Sequence, residues 1–280
     1  MSTKMNRQLP LTLTARDLRP LYEAFSEEDD ENGNPIFLFS SFGYITHNYE
    51  AYFGQCNLRK QQLCSEDISR SLELLSDDDV YPSAPMDITT ITDLASDGLY
   101  LKGPMLNVAF KNTGLLPKLT LNEVRILEVL QSCPHGNIVP YYGCVIRRDR
   151  IVCLAFKRLS ETLYQRMGVA NRPFDVDKCM DSVTSVVRHL HSLNLAHNDL
   201  NPANIMVDDD DKVYVIDFGS CREVGQQLIT AGTRGWIDED FTTSHPQHDM
   251  IALDKIHGWL KQQNSRASNK GNVDRIVPLQ

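Results

Sequence analysis

Residues 195–221 read LAHNDLNPANIMVDDDDKVYVIDFGSC. Two short apolar runs, NIMV and VYVIDF, flank four consecutive aspartates at 208–211. Such a pattern predicts two strands joined at an acidic, solvated tip. The hairpin folds Asp217 back beside the loop that carries His197, Asp199 and Asn204. Residues eighteen apart in sequence, Asp199 and Asp217, can then share one site.

Those residue types suit phosphoryl transfer. The reaction asks little covalent chemistry of a protein. It needs a group that accepts the hydroxyl proton, hard oxygen ligands for magnesium and a cation on the phosphates. Asp199 is the expected proton acceptor. Asn204 and Asp217 are the expected Mg²⁺ ligands, and His197 is expected to brace the loop from inside. The ordered set HNDLNPAN followed by DFG resembles the catalytic and metal-binding loops of eukaryotic protein kinases. With HSLNLAHNDLNPANIM, IDFGSCR and GTRGW, it is similar to a group of fungal protein-kinase-like proteins. The resemblance covers roughly Tyr81 to Lys261.

It implies an α+β, two-lobed protein-kinase-like fold: an antiparallel N-terminal lobe with one main helix and a mostly helical, shortened C-terminal lobe. It implies ATP and Mg²⁺ as cofactors and a protein bearing Ser or Thr as substrate. A pseudokinase scaffold and a small-molecule kinase are the alternatives. It also asks for a strand lysine paired with a helix glutamate. Glu123 in LTLNEVRILE fills the second role. Two lysines compete for the first. Lys111 sits in VAFK, like the V-A-I-K signature, but only twelve residues before Glu123; Lys102 in LYLKGP lies twenty-one before it and is preferred. Both stay candidate phosphate contacts. The segment Ala155–Leu159 is the expected hinge, with Ala155 and Lys157 as nucleotide contacts.

Four departures follow from the same comparison. The segment SAPMDITTITDLASDG holds one glycine, Gly98, so no Gly-rich loop precedes the lysine. Asn198 stands where an arginine commonly receives a phosphorylated loop, which argues against activation through Thr230 or Thr233. Asn201 replaces a lysine near the transferred group. Asp238-Glu239-Asp240 replaces Ala-Pro-Glu, while Asp249 matches the aspartate that braces the catalytic loop.

Further out, a chain of 280 residues suffices for one two-lobed domain or two small ones. Its net charge of −9 argues against non-specific nucleic-acid or anionic-membrane binding. Seven cysteines, an odd number without zinc spacing, suggest a reducing compartment. No apolar signal core or spanning run is evident, so an intracellular place, cytoplasmic or nuclear, is expected. Residues 1–35 with SEEDDENGN read as a solvated acidic loop, PIFLFSSFGYITH as one or two strands and EDISRSLELLSDDD as a helix. DITTITDL and GLYLKGPMLNVAFK read as strands, LTLNEVRILEVLQSC as a helix, and HGNIVPYYGCVIR and RIVCLAF as strands. VDKCMDSVTSVVRHLHSLN and MIALDKIHGWLKQQ read as helices, with a polar, mobile tail from Asn264. The expected domains are an extension at 1–80, an N-terminal lobe at 81–157, a C-terminal lobe at 158–262 and a tail at 263–280.

Overall fold

The structure, a computed structural model, describes residues 13–168, 172–230 and 232–273. They fall into two compact units. The first is drawn from Met1–Met86, Gly103–Thr120 and Val145–Cys153, the second from Asp87–Lys102, Leu121–Cys144 and Leu154–Gln280.

The first unit is built on β1 (Leu21–Asp29), β2 (Pro35–Ile45), β3 (Ala51–Cys56), α1 (Ser65–Ser71), β4 (Leu72–Leu74) and α2 (Asp77–Val80). The strands form one antiparallel sheet in the order β1-β2-β3-β4. The acidic stretch expected as a loop is therefore divided, with Ser26–Asp29 in β1 and Asp30–Asn34 turning. Glu27, Glu28 and Asp29 lie exposed on an edge strand, where charge discourages further pairing. Only Asp30–Asn34 turns, with Asp30 Oδ1 accepting the N–H groups of Asn32 and Asn34, each at 2.8 Å. The helix expected to run to the acidic cluster stops at Ser71, because Leu72–Leu74 pairs instead with β3, Gly54 opposite Leu72. Ile68 and Leu72 join Leu13, Leu18, Phe42 and Tyr52 in a core beneath the sheet. VAFK is likewise not a strand: Val108–Phe110 is one 3-10 turn.

The second unit begins with β5 (Leu99–Lys102) and continues through α3 (Leu115–Ser132, in this unit from Leu121), β6 (Tyr141–Arg147, in this unit to Cys144) and β7 (Arg150–Lys157, in this unit from Leu154). The sheet order is β5-β7-β6, and Lys102 is opposite Leu154 in an antiparallel register. DITTITDL contributes only a bridge, Thr90 to Cys144. Pro117 falls in the first turn of α3, where its missing N–H costs nothing, so the helix starts earlier than the apolar spacing suggested.

Then come β8 (Glu161–Thr162), α4 (Leu163–Gly168), α5 (Val176–Ser192), β9 (Leu195–Ala196), β10 (Ile205–Val207), β11 (Val213–Val215), β12 (Arg222–Glu223) and α6 (Pro246–Val273). The Asp175 carboxylate caps α5 by accepting from Lys178 N–H at 3.0 Å. Cys179, Val183, Val186, Val187 and Leu190 form its buried face. β10 and β11 make the antiparallel hairpin, Ile205 opposite Val215. Its aspartates do more than tip a turn: Asp211 binds the guanidinium of buried Arg166 at 2.7 and 2.8 Å. α6 runs through the residues read as a tail, since 264–270 hold neither Pro nor Gly. Residues 274–280 lie outside the described ones. Among those described, no helix is long and apolar enough to cross a membrane. Burial pushes the thiols of Cys144 and Cys153 each to about 11, as core residues require.

The first unit offers a direct packing test. A Cβ at Gly54 would clash with Phe42 Cε2 and lie 2.9 Å from Phe42 Cζ, and Phe42 has no exposed surface. Gly54→Ala should therefore cost about 1–3 kcal/mol, read as a lowered urea midpoint. An unchanged midpoint would contradict this packing.

Candidate functional site

The candidate groups of the second unit are held by short, specific devices. Lys102 ends β5, and its ammonium donates to both Glu123 oxygens at 2.7 and 2.8 Å. It also donates to Asp217 Oδ1 at 2.9 Å. Glu123 is buried on α3, whereas the Asp217 side chain is 43% exposed. Asp217 has φ +60, a left-handed conformation that Asp tolerates, and the Gly219 N–H bonds its Oδ1 at 3.2 Å.

The electrostatics pull in opposite directions. Burial would depress the Lys102 pKa, but the carboxylates of Glu123 and Asp217 hold it above the ordinary lysine range. Burial raises Glu123, and Lys102 only partly offsets that. Burial would also raise Asp217; Lys102, the Gly219 N–H and His197 outweigh it and hold Asp217 low.

The loop carrying Asp199 is fixed from beneath. Asp249, with no exposed surface, accepts His197 N–H and Asn198 N–H, each at 2.9 Å, and faces His191 Nε2 at 2.9 Å. His197 is buried. Its Nδ1 faces the Asp199 N–H at 3.4 Å and its Nε2 faces the Ile216 carbonyl at 3.1 Å, so the proton belongs on Nε2. The Ile216 N–H donates to the Asn204 carbonyl at 2.9 Å, which joins the two loops on either side of the hairpin.

Asn198, also left-handed at φ +62, is fully engaged. Its amide nitrogen donates to the carbonyls of Ala196 and Ser220 and to Ser244 Oγ at 2.8–3.2 Å. Its oxygen faces His245 N–H at 3.2 Å and His248 Nδ1 at 3.1 Å. Asp199 Oδ1 accepts from the N–H and hydroxyl of Thr233 at 2.8 and 2.7 Å, while Oδ2 accepts from Asn204 Nδ2 at 3.1 Å. Asn201 Nδ2 reaches the Asp199 carbonyl at 3.1 Å and Thr233 Oγ1 at 3.3 Å.

With its nitrogen turned to Asp199, Asn204 keeps Oδ1 unbonded among the described residues, as Asp217 keeps Oδ2. Two hard oxygens suit a cation such as Mg²⁺, which retains most of its own shell. Two other candidates are engaged differently. Lys111 belongs to the first unit, pairs with Glu73 at 3.3 Å and lies over the Phe53 ring. Lys157 donates to Tyr214 OH at 3.1 Å and lies 3.6 Å from Asp208. Ala155 is buried in β7 opposite Leu101. Along the expected hinge, the Lys157 N–H is bonded to the Pro140 carbonyl and the Arg158 N–H to the Gly98 carbonyl. Ser244 and His191 gave no sequence signal, because each acts across 46 or more residues. Thr233 stood in the quoted GTRGW, but nothing in the sequence tied it to Asp199.

A family model described as "Protein kinase domain" matches residues 107–249. The chain is 26% identical over 185 residues to a serine/threonine-protein kinase/endoribonuclease IRE1 of Hypocrea jecorina, covering 56% of this chain and 14% of that protein. It is 29% identical over 127 residues to an Arabidopsis thaliana leaf rust 10 disease-resistance locus receptor-like protein kinase-like 1.4, covering 41% and 19%. It is 32% identical over 109 residues to mitogen-activated protein kinase 15 of Caenorhabditis elegans, covering 38% and 23%. The chain thus spans less than a quarter of the length of each.

The Lys102 cluster sets a pH test. Lys102→Met leaves Glu123 buried without its counter-charge, so the Glu123 pKa in the folded state rises further. An acid whose folded pKa exceeds its unfolded one binds more protons when folded. Stability then falls as pH climbs from the unfolded value to the folded one. The variant should melt at a progressively lower temperature than wild type from pH 5 to pH 8. Parallel profiles would show that the ion pair does not govern Glu123.

Proposed function

The chain belongs to the protein kinase domain family, and from that premise we propose that it is an ATP- and Mg²⁺-dependent phosphotransferase acting on Ser or Thr hydroxyls of a protein. The observation that carries the reading is the bonding of one ammonium, Lys102, to Glu123 and Asp217 at 2.7–2.9 Å, in the same unit as the Asp199–Asn204 hydrogen bond. In this reading Lys102 contacts the phosphates and Glu123 orients it. Asn204 Oδ1 and Asp217 Oδ2 hold Mg²⁺, which when bound neutralises phosphate charge. The substrate hydroxyl gives its proton to Asp199 as its oxygen bonds the terminal phosphorus, and the bond to the departing diphosphate oxygen breaks. The Thr233 bonds aim Asp199 Oδ1, and His197 braces the loop.

Serine/threonine specificity draws support from the similarity to the Hypocrea serine/threonine-protein kinase. Because Asn198 is fully bonded inside the loop, the reading includes no phosphorylated segment docking there. The assignment of 81–157 and 158–262 to two lobes, with 1–80 as an extension, belongs to the same proposal.

One observation favours a second reading, a pseudokinase. The N–H groups of Lys157 and Arg158, in the segment expected to receive adenine, are already spent on Pro140 and Gly98. The two readings separate in a thermal-shift titration. At a hundred times Kd, ATP with Mg²⁺ should add about 2.7 kcal/mol. Asp217→Ala should lose the magnesium-dependent part. Asp199→Asn should keep the shift yet lower phosphate transfer roughly 10²-fold or more. No shift at millimolar ATP would sink the enzyme reading.

A further inference from the structure

β5 carries an exposed aromatic ring on the face that holds Lys102. Side chains two apart on a strand share a face, so Tyr100 and Lys102 lie on the same side of the sheet. That side is the one α3 packs against. Lys102 is bonded there to Glu123, and Tyr141, whose hydroxyl donates to Glu128 at 3.3 Å, packs its ring against Phe156 at 5.7 Å. Tyr100 stands directly opposite Phe156 in the register. Tyr141 and Phe156 are buried, whereas Tyr100 is 51% exposed. Among the described residues Tyr100 has no ring partner, and its hydroxyl has no hydrogen bond. Exposed rings are common on protein surfaces; what sets this one apart is its distance from Lys102. Two residues of antiparallel strand span about 6.8 Å, the reach of the ribose and first phosphate that separate a nucleobase from the phosphates Lys102 would hold.

The edge of a base finds few donors here. The Lys157 N–H is spent on the Pro140 carbonyl at 2.9 Å and the Arg158 N–H on the Gly98 carbonyl at 2.7 Å. Arg158 Nε is spent on the Asp97 carbonyl at 3.0 Å, so its side chain is turned along β5 as well. Of the three consecutive N–H groups at 157–159, that of Leu159 alone has no partner among the described residues. One donor is satisfied by adenine N1 and by guanine O6 alike. A stacked ring is equally tolerant, since every base has a π face.

We propose that Tyr100 is the platform on which the nucleobase stacks, and that the site takes purine nucleoside triphosphates without distinguishing ATP from GTP. The inference rests on the reading of Lys102 as the phosphate contact. It places selectivity in the phosphates and the size of the base, and takes it away from the hydrogen-bonding edge.

Calorimetric titration of the full chain with Mg²⁺ tests this without any turnover. The probes are ATP, GTP, 1,N6-etheno-ATP, whose edge is blocked while its face is intact, and inorganic tripolyphosphate, which has no base. The three nucleotides should bind within about threefold of one another and roughly tenfold more tightly than tripolyphosphate. Tyr100→Ala should bring them down to the tripolyphosphate Kd and leave that Kd and the urea midpoint where they were; Tyr100→Phe should keep the wild-type values, because the hydroxyl is unbonded. A tenfold preference for ATP over GTP, an equal loss on blocking the edge, or tighter ATP binding in Tyr100→Ala, the mark of a ring that fills the place of the base, would overturn the proposal. Tripolyphosphate binding that no nucleotide exceeds overturns it too, yet keeps the phosphate site. Failure of every probe to bind removes the phosphate site and this proposal with it. Transfer to Ser or Thr peptides is measured separately: Tyr100-dependent binding without transfer retires the enzyme reading and keeps this one.

Discussion

A carboxylate with no exposed surface has to be held by donors, and Asp249 is held by three. Two are consecutive backbone N–H groups, of His197 and Asn198, and the third side is closed by His191. Consecutive N–H groups converge on one carboxylate only if the chain bends sharply between them, and Asn198 supplies that bend at φ +62. Its side chain then ties the bend to Ala196, Ser220, Ser244 and His245, so the loop, the turn after Asp217 and the approach to α6 share one network. Asp199 is the next residue. Its direction is inherited from a clamp in which each buried polar atom named has a partner, the condition under which such networks are rigid.

The Lys102 cluster is a different kind of object. Burying one ammonium against two carboxylates costs desolvation at each member; their attraction outweighs it at Lys102 and Asp217 and offsets it only in part at Glu123, and such groups are weak contributors to stability. The opposite displacements of Glu123 upward and Asp217 downward express that tension. Glu123 is committed to Lys102 through both oxygens, whereas Asp217 gives one and keeps the other. The same lysine thus orders the helix side of the site while leaving the loop side able to take another ligand.

What the sequence disclosed and what it hid divide along the range of the interaction. The hairpin was legible because NIMV, the aspartates and VYVIDF are contiguous, and its register needs nothing from outside. The interval from Lys102 to Glu123 pointed to the lysine that the structure pairs, since twelve residues cannot easily complete a strand, a turn and a helix start. Hidden were the interactions set by tertiary register. β1 carries Glu27, Glu28 and Asp29, which read as solvent residues, and only its pairing with β2 makes them an edge strand. Asn198 read as a lost charge; its five partners, up to fifty residues away, leave no pattern in a single chain. Leu72–Leu74 had helical spacing, yet the open edge of β3 offered it backbone partners, and tertiary pairing overrode local preference.

The charges within the site constrain the proposed reaction further. Asp199, Glu123 and Asp217 bring three carboxylates, and Lys102 is the one ammonium bonded to two of them. Asn198 and Asn201 stand where the resemblance expects cations, and each spends its amide inside the loop. A triphosphate entering such a site meets more negative charge than positive, on a chain whose net charge is already −9. Favourable binding then depends on cations that arrive with the nucleotide. Without a Gly-rich loop to offer bare N–H groups, little backbone dipole stands in for them. Nucleotide and divalent metal should therefore bind as a coupled pair, each weak alone, with Asp217 Oδ2 and Asn204 Oδ1 as the oxygens through which the coupling acts.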